Sequence, residues 1–202
     1  GIDYHHRFSN GLRLNVSANV SDALTIVTKH PRKTTSVIDG SNYEGKVYGE
    51  IWGFTTDRLF QESDFDENGN LLPGIATQTY FENSGYKYKY GPGDVKYMDL
   101  DGNGEINWGD KTVENHGDWS RIGNATPRYE YNFKIGLDWH GVDLNIFFQG
   151  VGSRQYWATG SMMIPGWNFS EGTYYAHQTD YWTPENTNAW YPRLAETNQP
   201  GQ

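Results

Sequence analysis

The chain of 202 residues contains no cysteine. A disulfide framework, a zinc ribbon and a cysteine nucleophile are therefore excluded, although this does not fix a compartment. Basic residues are scarce: 16 Lys and Arg stand against 25 Asp and Glu, for a formal charge of -9. With no basic face to meet phosphates, nucleic acid is not expected as a partner. The acid is spread along the chain, as on a solvated surface. Long apolar runs are missing too, so no spanning helix is expected, whereas a spanning β-barrel would not need one. No basic start leads into an apolar stretch, so no signal peptide is visible. Either it was removed or the chain is a piece of something longer. Catalytic signatures are also lacking. There is no HExxH, no G-x-S-x-G elbow, no Walker loop and no dinucleotide fingerprint. Acidic pairs are plentiful, but nothing marks one as a glycosidase pair. The six histidines are scattered, with His5-His6 near the start. No enzyme activity is expected.

What is abundant is aromatic and glycine: 16% of residues are Phe, Trp or Tyr, and there are 24 glycines. That composition favours strands and turns over helices. In "GLRLNVSANVSDALTIVTKH", Leu12, Leu14, Val16, Ala18 and Val20 share one face, and Arg13, Asn15, Ser17 and Asn19 share the other. A turn at Ser21-Asp22-Ala23 followed by Leu24, Ile26 and Thr28 reads as a hairpin within residues 1–30. Residues 129–152 give a clearer one. Tyr129, Tyr131, Phe133, Ile135, Leu137 and Trp139 fall on one face; after His140-Gly141, Val142, Leu144, Ile146 and Phe148 return to it. A two-residue turn pairs Trp139 with Val142, Leu137 with Leu144, Ile135 with Ile146 and Phe133 with Phe148. The opposite face is strongly polar. Sandwich strands run to about 5–6 residues, whereas barrel strands crossing a membrane need about 9–11, apolar outside and polar inside. These alternating stretches reach the longer class. A soluble sandwich hairpin stays open on periodicity alone.

Between the hairpins, residues 31–128 read as strands and loops, with Val47, Tyr48, Ile51, Trp52 and Phe54 in one strand. Residues 153–202 read as a long loop region; "GTYYAHQTDYW" offers a short helix. The Trp and Tyr of its "GWNFSEGTYYAHQTDYWTPENTNAWYP" suit either loop packing or stacking on sugar rings.

The stretch "DLDGNGEINWGD" fits a cation loop. Asp99, Asp101 and Asn103 occupy positions one, three and five. Gly104 supplies the sharp turn at six, Glu105 offers its carbonyl at seven, Ile106 anchors the loop at eight, and Asp110 closes at twelve. Hard oxygens at alternating positions suit calcium, and the shorter closing Asp implies weaker binding than a sensor's. With no flanking helices, the expected role is structural. The alternative is an Asx turn in which the side chains cap their own backbone. A second stretch, "DFDENGNLLPG", has Asp64, Asp66, Asn68 and Gly69 but no closing acid, and reads as a turn.

Several motifs then line up in order: "VYGEIWGFTTDRLFQ", "GDVKYMDLDGNGEINWGDKTV", "RIGNATPRYEYNFKIGLDWHGVDLNIFFQGVGSRQYW" and "YWTPENTNAWYPRL". G-D-V-K-Y-x-D-L-D-G-N-G, I-G-N-x-x-P-R-Y and F-F-Q-G-V-G in succession resemble the carboxy-terminal half of the SusC/RagA family, the TonB-dependent outer-membrane transporters of Bacteroidetes-type bacteria. The resemblance covers most of the chain. It implies an all-β fold: antiparallel strands of a large transmembrane barrel with long extracellular loops, part of about 22 strands around a plug. It further implies import of glycan or peptide oligomers with no bond made or broken. The implied partners are a SusD-like lid lipoprotein, TonB acting through an N-terminal part, and membrane lipid. The plug, the TonB-contacting segment and the last strands are expected to lie outside this chain, leaving a portion that does not transport alone. Two rivals stay open: a secreted calcium-stabilised carbohydrate-binding β-sandwich, and a calcium-stabilised adhesion module. The long hairpin separates them. Its face of Tyr131, Phe133, Ile135, Leu137, Leu144, Ile146 and Phe148 is exposed in a barrel and sealed in a sandwich.

Overall fold

The computed structural model describes residues 1–31, 36–37, 42–78, 89–165 and 174–194. The architecture is all-β. Its strands are β1 (Ile2–Arg7), β2 (Arg13–Ser21), β3 (Glu50–Phe54), β4 (Thr56–Leu59), β5 (Val95–Tyr97), β6 (Trp119–Asn124), β7 (Arg128–Trp139) and β8 (Val142–Ser153). Helical structure among the described residues is limited to single 3-10 turns at Glu62–Asp64 and Ala176–Thr179, the second lying where a short helix was expected. No helix there is long and apolar enough to cross a membrane. The chain divides into two compact units. One comprises Gly1–Arg32, Asn42–Ile51 and Gly123–Tyr156; the other comprises Lys33–Ser41, Trp52–Ile122 and Trp157–Gln202.

The first unit is built on a four-stranded sheet in the order β1-β2-β7-β8, antiparallel throughout. The β7–β8 register is the one expected: Trp139 faces Val142, Leu137 Leu144, Ile135 Ile146 and Phe133 Phe148. His140 and Gly141 make the turn with φ of 50° and 83°, the doubly left-handed backbone that a two-residue connection needs to match strand twist. β2 continues the same rows, setting Leu14 against Leu137, Val16 against Ile135, Ala18 against Phe133 and Val20 against Tyr131. β1 adds His6 to Leu14, Tyr4 to Val16 and Ile2 to Ala18.

The hairpin within residues 1–30 is present, but it turns elsewhere. β1 and β2 are joined through Phe8–Leu12, closed by the Phe8 N–H to Leu12 carbonyl bond at 2.8 Å. Ser21-Asp22-Ala23 is an exit, not a turn. With β1 on one side and β7 on the other, β2 has no free edge for the Leu24 segment. Ile26 instead forms an isolated bridge with Val47. Asp22 holds the exit in place: its Oδ2 accepts from Arg128 Nη2 at 2.6 Å and its Oδ1 from the Tyr129 N–H at 3.3 Å. The guanidinium's hydrogen bonds hold the Asp22 carboxyl below its ordinary pKa.

Outside that sheet, β3 pairs with β6 and β4 with β5 in two short ribbons. The second unit gathers a small core in which Phe60 and Tyr90 are buried, with Phe65, Leu71 and Ile75 packed against them. Its long segments are ordered chiefly by polar clamps. Asp64, 5% exposed, accepts from Arg58 Nη1 and Nη2 at 2.6 Å each. Asp94, 3% exposed, accepts from Arg193 at 2.8 and 3.0 Å. Buried Gln78 stands in for a strand neighbour, donating to the Val95 carbonyl and accepting from the Tyr97 N–H. Each is a buried polar group with its partners supplied, which loops need when backbone would otherwise be stranded away from water.

Candidate functional site

Within the second unit the acidic loop follows β5 directly. Its turn is made as expected: Gly104 has a φ of +84°, and Ile106 is fully buried. The Ile106 N–H donates to the Thr77 carbonyl at 2.7 Å, while the Thr77 N–H donates to the Gly104 carbonyl at 2.9 Å. The side chains curl inward. Asp99 accepts from the N–H groups of Gly102 and Gly104 at 2.8 and 2.9 Å. Asp101 Oδ1 accepts from the Asn103 N–H at 3.0 Å, and Asn103 Oδ1 from the Glu105 N–H at 2.7 Å.

The carboxylate that meets Asp99 and Asp101 is Asp118, not Asp110. One oxygen from each of Asp99, Asp101 and Asp118 lies within 4.8 Å of the others. That spacing matches oxygens on opposite sides of one calcium ion, at about 2.3–2.6 Å each. Hard carboxylates at this spacing suit such an ion, and the same oxygens already accept hydrogen bonds from the protein, those of Asp99 and Asp101 in the Asx-turn pattern that was the alternative. Asp110 lies in a separate network, with Oδ2 accepting from Asn115 Nδ2 at 2.8 Å. The Glu105 carbonyl accepts from Asn107 Nδ2 at 3.1 Å. Asp118 is fully buried and bridges the loop, Oδ1 taking the Leu100 N–H at 2.7 Å and Oδ2 the Asn107 N–H at 2.9 Å. It falls outside the twelve-residue window, so motif spacing could not find it. The second acidic stretch is the turn it was expected to be: Asp66 Oδ1 accepts from the N–H groups of Asn68 and Asn70 at 2.8 Å each.

The aromatic-rich segment splits into two roles, with residues 166–173 outside the described residues. Trp182 is packing: 7% exposed, it lies so close over Gly93 that a Cβ there would meet the ring at 2.5 Å. Trp190 is 80% exposed on a turn pinned by Asp180, whose Oδ2 accepts the Trp190 N–H at 3.2 Å.

The first unit presents the apolar face of the four-stranded sheet. Of the seven residues expected on it, Tyr131, Leu144, Ile146 and Phe148 are exposed and Phe133, Ile135 and Leu137 are half-buried; Trp139, Val142, Ile2, Tyr4 and Val20 are exposed as well. Among the described residues of this unit nothing seals these side chains, which does not favour the sandwich. A contiguous apolar surface of this kind marks contact with a partner or a membrane. The other face presents Asp3, His5, Arg7, Arg13, Asn15, Ser17, Asn132, Lys134, Asp138, Asp143, Asn145 and Gln149, as the register dictates. β7 and β8 are 12 residues long and β2 is 9. At one end the strands are joined by short turns. At the other the chain departs into segments of tens of residues.

No protein-family model matches the chain. Two curated relatives do. Over 153 residues it is 29% identical to TonB-dependent receptor P3 of Formosa agariphila, covering 75% of this chain and 13% of that protein. Over 162 residues it is 28% identical to TonB-dependent receptor P26 of the same organism, covering 77% of this chain and 15% of that protein. The chain thus spans less than a sixth of the length of these relatives. A two-faced antiparallel sheet with an open apolar side, together with likeness to both, supports the TonB-dependent receptor family for this chain.

Proposed function

We propose that the chain is a portion of the barrel wall of a SusC/RagA-type TonB-dependent transporter in a bacterial outer membrane. The single observation carrying this is the in-register apolar face, shared by four strands and left open. The eight residue steps from Tyr131 to Trp139 on β7 rise about 27 Å at ~3.4 Å each. Tilted by ~40°, they cover about 21 Å of height, close to the ~25 Å apolar band of outer-membrane barrels. Trp139 and Tyr131 then sit near the two interfaces, where amphipathic rings are favoured. The short turns at Phe8–Leu12 and His140-Gly141 face the periplasm, and the long segments face outward.

The polar face lines the lumen through which glycan or peptide oligomers are imported, with energy supplied through TonB and a SusD-like lipoprotein closing the outer side. The protein makes and breaks no bond. Asp99, Asp101 and Asp118 would hold calcium as a staple for the loop after β5, where the ion would neutralise three gathered carboxylates and offset the entropy of ordering the segment. Asn103, Glu105 and Asp110 shape the loop around it.

Cell fractionation tests the main reading. The full-length protein is expected in the outer-membrane fraction, with unheated samples migrating as a folded barrel on electrophoresis. Recovery in the soluble fraction would refute it. For the ion, calorimetry with calcium chloride on the full-length protein is expected to give binding heat that Asp101→Ala weakens. No heat would remove the staple and leave the barrel reading standing.

A further inference from the structure

The sequence contains three Asn-Gly pairs, Asn10-Gly11, Asn68-Gly69 and Asn103-Gly104. An asparagine in this context is chemically labile. The backbone nitrogen of the next residue can attack the side-chain amide carbon, and a glycine there has no side chain to block the approach. Each pair sits in a turn, with φ of +85° at Gly11, +72° at Gly69 and +84° at Gly104. Each glycine N–H already donates a hydrogen bond: Gly11 to the Phe8 carbonyl at 3.1 Å, Gly69 to the Asp66 carbonyl at 2.9 Å and Gly104 to Asp99 Oδ2 at 2.9 Å. The attacking nitrogen therefore does not separate the three pairs. The asparagine side chain does.

Asn103 is held at both ends of its carboxamide: Oδ1 accepts from the Glu105 N–H at 2.7 Å, and Nδ2 donates to Asp101 Oδ2 at 2.9 Å. Asn10 is held at one end, its Oδ1 accepting from the Leu12 N–H at 3.1 Å. Asn68 is exposed. Its backbone N–H donates to Asp66 Oδ1 at 2.8 Å, but among the described residues its carboxamide has no partner and is free to swing over the Gly69 nitrogen. A cation stands beside that peptide. Lys89 Nζ lies 3.9 Å from the position a Cβ on Gly69 would take and donates to Asn70 Oδ1 at 3.2 Å. An ammonium there favours loss of the Gly69 amide proton and the negative charge that develops on the attacked carboxamide.

We propose that Asn68 is a site of spontaneous deamidation, assisted by Lys89. The Gly69 nitrogen gives its proton to solvent and attacks Asn68 Cγ. The new C–N bond closes a cyclic imide, and the Cγ–Nδ2 bond breaks to release ammonia. Water then opens the ring at either carbonyl, giving an aspartate or its isoaspartyl isomer at position 68. Both products set a carboxylate beside Lys89. The isoaspartyl form also lengthens the main chain by one carbon inside the turn that pairs Phe65 with Leu71, two residues that pack against the Phe60–Tyr90 core. The proposal is independent of the barrel reading.

Ageing the full-length protein in detergent in mildly alkaline buffer, followed by peptide mapping with mass spectrometry, tests it. Isoaspartate is scored separately by enzymatic methylation. Asn68 is expected to convert first. Each side-chain hydrogen bond that must break slows the reaction about fivefold, so Asn10 should lag Asn68 about fivefold and Asn103 about twenty-five-fold. In guanidinium-unfolded protein the three should convert at similar rates, because the contacts that separate them are gone. Lys89→Gln should slow Asn68 and leave Asn10 unchanged. Equal rates at Asn68 and Asn103 in the folded protein, or the same ranking after unfolding, would overturn the site. An unchanged Asn68 rate in Lys89→Gln would overturn the assistance by the ammonium.

Discussion

Ile146→Arg is the substitution whose cost depends most strongly on what the sheet touches. Ile146 pairs with Ile135, which lies midway between Tyr131 and Trp139 on β7. If those rings mark the two interfaces, Ile146 sits at the bilayer midplane. An arginine on the lipid face at that depth costs about 2–4 kcal/mol, falling to about 0–1 near the interfaces. The same substitution on a water-facing surface shifts stability by no more than ~0.5 kcal/mol. Asn145→Arg supplies the internal control: one residue away on the same strand, it points to the polar face and should cost little. Val142→Arg, at the Trp139 end, should fall between the two. The assay is denaturant unfolding of the full-length protein in phospholipid vesicles, followed by tryptophan fluorescence. A loss of about 3 kcal/mol for Ile146→Arg would lower the folded-to-unfolded ratio by roughly two orders of magnitude. Equal stability of Ile146→Arg and Asn145→Arg would refute the assignment of faces, whatever the protein's location.

Three further predictions concern the second unit. Asp118→Ala strands the Leu100 and Asn107 N–H groups and should cost about 2–4 kcal/mol, read as faster amide exchange at Leu100 and Asn107. Arg58 lowers the pKa of Asp64 from 3.8 through its hydrogen bonds, with burial opposing. The pair's contribution is thus fully present above that unfolded value and lost as pH falls through the lower folded one. Arg58→Met should flatten thermal stability below about pH 4 and leave the profile between neutrality and pH 5 unchanged in shape. Gly93→Ala must combine φ of +86° with a Trp182 ring at 2.5 Å, costing about 2–4 kcal/mol in thermal melts. Gly102→Ala has φ of +73° and nothing within 4 Å, so it should cost only about 1 kcal/mol.

The sequence disclosed those parts of the fold that local chemistry controls. The β7–β8 register was readable to the residue because two constraints agree: a two-residue turn fixes the offset, and alternation on both strands forbids a slip. Asp99, Asp101, Asn103 and Gly104 were readable for the same reason, since Asx chemistry and left-handed glycines act within a few residues. What was missed depends on contacts distant along the chain. β1 carries His6 where an apolar residue would continue the row from Ile2 and Tyr4, so its pattern is weak. The Ser21-Asp22-Ala23 stretch has turn-forming residues, but the Asp22 carboxylate is used by Arg128, 106 positions away. Asp118 joins Asp99 and Asp101 only because the chain returns through His116-Gly117, and nothing in the spacing announces that return.

The most direct measurement uses the absence of cysteine from this chain. Single cysteines at positions 142 to 149, each carrying a spin label, would be introduced into the full-length protein in phospholipid bilayers. Collision with molecular oxygen, which concentrates in lipid, would be compared with collision with a water-soluble nickel chelate. The account predicts a period of two: oxygen access high at 142, 144, 146 and 148, low at 143, 145, 147 and 149. Oxygen access with no alternation along β8, or even-numbered positions reached by the nickel chelate and not by oxygen, would contradict it.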